Sequence, residues 1–193
     1  MAAPYKYDRG QKIKAAGGAV DMGFIAHVEL STAETVAADA DGVITIEMGA
    51  AKKTVKTGFE DMPAARNLTV VGTAAGITGT LKVTGTNMAG EAITESFTLN
   101  GTTAQTGSKA FASVTEVECP ARHAADDAVN IGWGVKFGIP YKLGLNTVLA
   151  AYVNGSKEGT APTVAVSTSA LESNTISMNT APSGKATHYY LIV

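Results

Sequence analysis

The feature that most constrains the fold of this chain is a regular alternation of apolar and polar residues along its middle third. Over residues 77–84, Ile77, Leu81 and Val83 fall on one face of an extended segment, whereas Lys82 and three threonines fall on the other. A period of two residues predicts a β-strand with one face packed inward and the other in water. Residues 91–99 repeat the pattern after a Gly-bounded turn.

Short strands of this kind are predicted along the whole chain from residue 23 onward. Gly49-Ala50 and residues 72–79 predict hairpin turns, and Asn100-Gly101 is the strongest hairpin signal. About ten strands without a long helix predict an all-β fold, an antiparallel β-sandwich or jelly-roll-like domain. The predicted strands cover residues 24–30, 43–48, 51–57, 67–72, 77–84, 91–99, 109–119, 128–137, 141–153, 162–167, 174–178 and 187–193.

The first 22 residues differ from the rest and predict an extended N-terminal arm. Basic residues cluster there, and Gly10, Gly17 and Gly18 interrupt any helix. A basic, tyrosine-bearing terminal segment either frays or is held by a partner, and we predict a partner. Residues 23–193 are predicted to form a single β-sandwich domain, with a candidate sub-boundary near residues 120–128.

Composition excludes several classes of function. The chain of 193 residues is 17% charged with a net charge of −2, which argues against direct nucleic-acid binding, where a basic stripe is usual. One cysteine excludes an intrachain disulfide framework or a Cys-rich zinc site. Neither a secretory signal nor an apolar stretch of roughly 18 residues is present in the sequence, so we expect no membrane contact and synthesis in a cytoplasm.

The sequence offers little that could carry catalysis. The three histidines lie far apart without metal-ligand spacing, and no G-x-S-x-G motif occurs. Cys119 and His123 are the only nominal nucleophile and base, separated by a proline. Asp126-Asp127 either binds a cation or solvates a loop, and we favour the loop. We therefore predict a non-enzymatic protein with no catalytic residue, no metal ligand and no cofactor.

The low charge indicates a surface that neighbouring subunits cover, because charged groups are costly to desolvate at interface cores. Trp133, Tyr189 and Tyr190 are candidate anchors, and a position in the core explains these aromatic residues equally well. The candidate partner-contact residues are Tyr5, Lys6, Tyr7, Arg9, Lys12, Lys14, Trp133, Tyr189 and Tyr190.

Residues 66–152 resemble a known group of proteins. The phrases RNLTVVGT (66–73), GTLKVTGT (79–86), AGEAITESFTLNG (89–101) and IGWGVKFGIPYKL (131–143) are similar to a β-hairpin pattern that recurs among virion structural proteins of tailed bacteriophages. Within that group, the size and all-β prediction look most like a capsid decoration (cement) protein.

This resemblance implies a location on the capsid exterior of the virion, after synthesis in the host cytoplasm. The implied partners are the major capsid protein and copies of the chain itself, as a homotrimer. A partner that binds only the assembled lattice stabilises it by mass action. The arm around Tyr5 to Lys14 would reach an adjacent subunit, for example by strand addition. No catalytic or ligand residue is implied.

Two other functions stay open at this point. One is a tail-tube or head–tail joining protein, which forms rings from a similar β-fold. The other is a glycan- or cell-surface-binding β-sandwich module, in which Trp133, Tyr189 or Tyr190 would serve as sugar-stacking platforms.

Overall fold

The computed structural model of the chain describes residues 12–21 and 23–193. Within them the chain forms sixteen β-strands and one turn of 3₁₀-helix at Leu171–Ser173, which confirms the all-β prediction. None of the described residues form a helix of the length and apolar character that a membrane span needs. The strands are β1 (Lys12–Ala15), β2 (Gly18–Asp21), β3 (Ile25–Leu30), β4 (Asp39–Glu47), β5 (Lys53–Val55), β6 (Arg66–Gly72), β7 (Thr78–Thr86), β8 (Ala92–Asn100), β9 (Gln105–Phe111), β10 (Ser113–Cys119), β11 (Ala128–Gly138), β12 (Val148–Val153), β13 (Ser156–Lys157), β14 (Thr163–Ala165), β15 (Thr175–Ser177) and β16 (Thr187–Ile192).

The strands pair antiparallel in one small and three larger sheets. Sheet I has the order β5-β10-β7-β8, and sheet III has the order β13-β12-β16-β3. Sheet II has the order β14-β15-β11-β6-β9, and β4 also pairs with the first half of β11. The small sheet is the β1–β2 hairpin, whose Gly17 N–H donates to the Asn146 carbonyl at 2.6 Å. The predicted boundary between an arm of residues 1–22 and a domain of residues 23–193 stays a prediction.

The first hydrophobic core joins sheets I and II. It holds the inward-facing residues of the alternating strands β7 and β8 together with residues of β4, β6, β10 and β11. This is the sandwich core that the period of two predicts. Its buried members are Val43, Ile46, Met48, Leu68, Val70, Ile77, Leu81, Val83, Ile93, Phe97, Leu99, Phe111, Val114, Val117, Cys119, Val129 and Ile131.

A second, smaller core lies under sheet III. Strand β11 runs through both cores, since Ile131 belongs to the first and Phe137 to the second. Beside this strand the buried Arg66 guanidinium lies 4.5 Å from the centre of the Phe137 ring and donates to the Val36 carbonyl at 2.8 Å. The buried members of the second core are Phe137, Ile139, Leu143, Val148, Ala151, Ile176, Tyr189 and Leu191.

Three of the predicted hairpins are wrong, because the chain changes sheet between their strands. Gly49-Ala50 does not join paired strands, since β4 pairs with β11 in sheet II and β5 pairs with β10 in sheet I. Residues 72–79 likewise connect β6 in sheet II to β7 in sheet I. Asn100-Gly101 does form a turn, with Gly101 at φ +55°, but it leads from sheet I to sheet II.

The single strand predicted over residues 109–119 is two strands that meet at Ala112. Strand β9 pairs with β6 in sheet II, and β10 pairs with β7 in sheet I. At this corner β7 comes so close that a Cβ on Gly85 would lie 1.9 Å from the Ser113 carbonyl oxygen. Strands that switch sheets make the corners of sandwiches, and here the close approach requires glycine.

The other turn predictions agree with the structure. Strands β7 and β8 form a true hairpin, in which Asn87 Oδ1 accepts from the N–H groups of Ala89 and Glu91. Asn154 and Gly155 take φ values of +52° and +75° and join β12 to β13, as an Asn-Gly hairpin turn should.

Candidate functional site: the outer face of sheet III

Sheet III has an apolar inner face and an outer face of aromatic and imidazole rings. On β16, Tyr189 and Leu191 point into the second core, so the alternation turns His188 and Tyr190 outward. In the neighbouring strands, His27 lies opposite Tyr190, and Tyr152 lies opposite His188. We call His27, Tyr152, His188 and Tyr190 the histidine–tyrosine face.

The four rings of the histidine–tyrosine face contact one another. His27 stacks on Tyr190 with ring centres 4.5 Å apart, and Tyr152 stacks on His188 at 4.8 Å. The two histidines meet edge to face at 5.3 Å, and the two tyrosines do so at 6.2 Å. Mutual packing of this kind fixes the side chains before any partner arrives, which reduces the entropy lost on binding.

Two exposed apolar residues lie on the strands that carry these rings: Ile25 (64%), on the same side of β3 as His27, and Leu149 (37%), on β12. We call these two residues the apolar rim of the face. Phe24 (84%) and Val193 (40%) are also exposed where β3 and β16 end, but the alternation places them on the side of the inner face.

Charged side chains lie at both edges of this surface, because Glu29 of β3 is opposite His188 and the exposed Lys157 of β13 is opposite Tyr152. Glu29 Oε1 lies 3.5 Å from His27 Nε2, and Glu29 together with Glu34 lines a shallow cleft of about 400 Å³ beside His188. The Glu34 carboxylate is already engaged, because it accepts from both the N–H and the hydroxyl of Ser31. The site can therefore bind an apolar or aromatic surface, with an acidic edge at Glu29 and a basic edge at Lys157 to fix its orientation.

Of the adjacent tyrosines predicted as contacts, only Tyr190 lies on the surface. Tyr189 is fully buried in the second core, where its hydroxyl has no hydrogen-bond partner among the described residues and burial raises its pKa. The prediction of Tyr189 as a partner contact is corrected on this ground, because neighbouring residues of a strand point to opposite faces.

Trp133 lies away from the histidine–tyrosine face, on β11. Its indole N–H donates to the Ala37 carbonyl at 3.0 Å, and a Cβ on Gly42 would lie 2.6 Å from the ring. The half-buried ring packs against the first core and lines a shallow cleft of about 220 Å³ with Ala38, Asp39, Ala40, Thr69, Val71 and Ala104. The indole N–H of Trp133 and part of its ring surface thus make contacts within the fold.

The arm candidates are only partly described. Tyr5, Lys6, Tyr7 and Arg9 lie outside the described residues. Lys12 and Lys14 occupy alternate positions on β1, opposite Asp21 and Ala19 of β2.

The nominal nucleophile, Cys119, is not accessible. Cys119 is fully buried in the first core, and burial raises the pKa of its thiol to about 11, so the thiol is protonated at neutral pH. The buried Asp127 carboxylate accepts from the backbone N–H groups of His123 and Ala124, which agrees with a loop role. Within residues 12–21 and 23–193, no three His, Cys, Asp or Glu side chains are placed to hold a metal ion.

Sequence reasoning missed three members of the face: His27, Tyr152 and His188. The alternation in β16 is a signal that places His188 beside Tyr190, on the side opposite Tyr189. No local signal brings His27 and Tyr152 to them, because sheet III pairs β16 with β3, more than a hundred residues earlier, and with β12, more than thirty residues earlier.

Comparison of the chain with protein-family models, with curated proteins and with solved structures finds no match.

Proposed function

We propose that this chain is a non-enzymatic structural protein of a tailed-phage virion, which decorates the capsid by binding between neighbouring capsid subunits. The observation that carries the proposal is the histidine–tyrosine face with its apolar rim, a preformed contact surface on one side of sheet III. The phage-like phrasing of residues 66–152 supplies the class of assembly.

The chemistry of this surface supports protein contact. Tyrosine and other aromatic residues are enriched at interfaces, where they contribute large contact areas through few rotatable bonds. The four rings are also held by one another, so little side-chain freedom remains to be lost. The protein would stabilise the capsid because it binds the assembled lattice and not the separate subunits.

The glycan-binding alternative is less well supported. A sugar stacks on a free ring face, yet His27 covers one face of Tyr190, Tyr189 is buried, and the Trp133 ring lies against Gly42 and is half-buried. The tail-tube or joining-ring alternative uses the same kind of surface for copies of the chain itself, and the experiment below separates it.

The test uses particles from the phage genome that encodes the chain, prepared with and without the gene. We expect the gene-deleted particles to release DNA at a lower temperature, measured with an intercalating dye, and purified protein to restore the release temperature. Tyr190→Asp should abolish the restoration, because it introduces a charge into the face. Val135→Asp is the matched control, since Val135 is exposed (50%) but lies on β11.

Each further result decides the proposal. Particles that lack the chain, or full restoration by a folded Tyr190→Asp protein, would refute it. Tailless particles after deletion, with stacked rings or tubes of the purified protein in negative stain, would favour the tail-tube alternative instead.

A further inference from the structure

Strand β3 is an open edge of sheet III. Among the described residues it pairs with β16 on one side and with no strand on the other. Phe24 and Val193 exchange two backbone hydrogen bonds, at 3.0 and 2.9 Å. In an antiparallel ladder such reciprocal pairs recur at every second residue. The backbone groups of Ala26, Val28 and Leu30 therefore point to β16, and those of Ile25, His27 and Glu29 point to the open edge.

This edge has little of the usual protection against pairing, and Glu29 is its one acidic or basic side chain besides His27. Residues 24–30 (FIAHVEL) contain no lysine, proline or glycine, the residues that commonly guard or interrupt exposed edges. The inner face of β3 is also incompletely covered, since Ala26, Val28 and Leu30 are only half-buried against the second core. Phe24, on the same side of the strand, is 84% exposed.

One register lets this edge pair with itself. With His27 opposite His27 of a second copy, Ile25 lies opposite Glu29, and all three open backbone positions meet their counterparts. On the inner face the same register puts Phe24 opposite Leu30 and Ala26 opposite Val28, so apolar residues cover one another. Only this register pairs the three open positions with one another, because a shift of two residues leaves Ile25 or Glu29 without a counterpart among them. A shift of four residues in one direction puts Glu29 opposite Glu29, which like charges disfavour, and any odd shift breaks the match of open backbone groups.

We infer that β3 pairs antiparallel with β3 of a second copy of this chain, which joins two copies of sheet III into one continuous eight-stranded sheet. The contact is two-fold symmetric, with the axis at His27, and about six backbone hydrogen bonds form across it. The two histidine–tyrosine faces then become a single surface. This inference does not depend on the proposed role in a virion.

Proline at position 27 provides a selective test. The His27 N–H points to the open edge, so His27→Pro removes a donor to the second copy without removing a bond to β16. Because the axis passes through this residue, two hydrogen bonds are lost at once, and we expect the dimer Kd to rise roughly thirtyfold. His27→Ala is the matched control, which loses the ring but keeps the N–H and should dimerise within a few-fold of the parent chain.

Sedimentation equilibrium over a concentration series gives the Kd, and hydrogen exchange locates the contact. We expect the amides of Ile25, His27 and Glu29 to gain protection as the dimer forms. A chain that stays monomeric at millimolar concentration overturns the inference, and so does a dimer that folded His27→Pro leaves unchanged. Protection of the three amides in the monomer would also overturn it, because another segment of the same chain would then occupy the edge.

Discussion

Sheets I and III share the same inner construction but differ on their outer faces. The outer face of sheet I carries threonines and ion pairs: Glu118 on β10 lies opposite Lys82 on β7 and bonds to it at 3.1 Å, and it also bonds to Lys52. These two lysines lower the pKa of the Glu118 carboxyl. The outer face of sheet III instead carries the four stacked rings and an apolar rim.

The difference indicates which face is suited to water and which to contact. Covering the face of sheet I would remove paired charges from water, and the desolvation cost offsets much of what a contact contributes. Covering the rings of the histidine–tyrosine face removes aromatic surface from water, and burial of apolar area is favourable by about 25 cal/mol per Å². The side chains on the two outer faces thus assign sheet I to solvent and sheet III to partner contact.

The largest expected effects test whether the two regions fold as one unit. Leu81→Ala in the first core and Leu191→Ala in the second should each lower the free energy of unfolding by about 2–5 kcal/mol, because both side chains are fully buried. Strand β11 contributes to both cores, so we expect one urea transition, seen alike by Trp133 fluorescence and by tyrosine near-ultraviolet circular dichroism.

The contrary outcome is specific. If Leu191→Ala shifts the tyrosine signal but leaves the Trp133 transition in place, the two regions unfold separately, and sheet III is an independent unit. A conservative Leu191→Met change at the same position should cost less than about 1.5 kcal/mol and serves as the control.

The inner faces follow from local sequence, whereas the arrangement of the sheets does not. The period of two in β7 and β8 is sufficient by itself to identify Leu81, Val83 and Phe97 as core residues. No sequence signal predicts the corner at Ala112. An extended segment has the same pattern of residues whether it stays in one sheet or passes from one sheet to another.

The candidate site shows the same limit. Tyr190 is identifiable from sequence, and alternation alone can separate it from the buried Tyr189. Its partners His27 and Tyr152 come from strands distant in the chain, and they meet only because β16 pairs with both β3 and β12. Cross-strand contacts of this kind depend on topology, which no pattern within a single segment encodes.

A smaller effect is expected from Cys119 and Tyr189, a buried ionisable group in each core. Burial raises the pKa of the Cys119 thiol to about 11, above the value of about 8.5 for an exposed thiol. The unfolded chain therefore loses this proton first, and stability is fully present below pH 8.5 and falls on the order of 2 kcal/mol as the pH rises to about 11.

Tyr189 should also lower the free energy of unfolding above about pH 10, because burial raises the pKa of its hydroxyl and the unfolded chain loses this proton first. Urea unfolding measured from pH 7 to 11 tests both groups. Cys119→Ala should flatten the curve between pH 8.5 and 11, although its stability at pH 7 is lower, and Tyr189→Phe should flatten only the most alkaline part. A curve that Cys119→Ala leaves equally steep would show that the thiol titrates alike in the folded and unfolded chains.

The smallest effect is expected on the outer face of sheet I, where Lys82→Ala should leave the unfolding midpoint at neutral pH almost unchanged. Exposed ion pairs contribute little, and Lys52 still bonds to Glu118 in this variant. Because the pKa of Glu118 is lowered, its pairing with the lysines stabilises the fold above the ordinary pKa of a carboxyl group. This stabilisation is lost as the pH falls through the lowered value, so Lys82→Ala should slightly weaken the acid dependence of stability.

The Lys82→Ala variant should also restore gene-deleted particles as well as the parent chain does. A marked loss of restoration by folded Lys82→Ala protein would place sheet I in the contact and remove the distinction between the two faces.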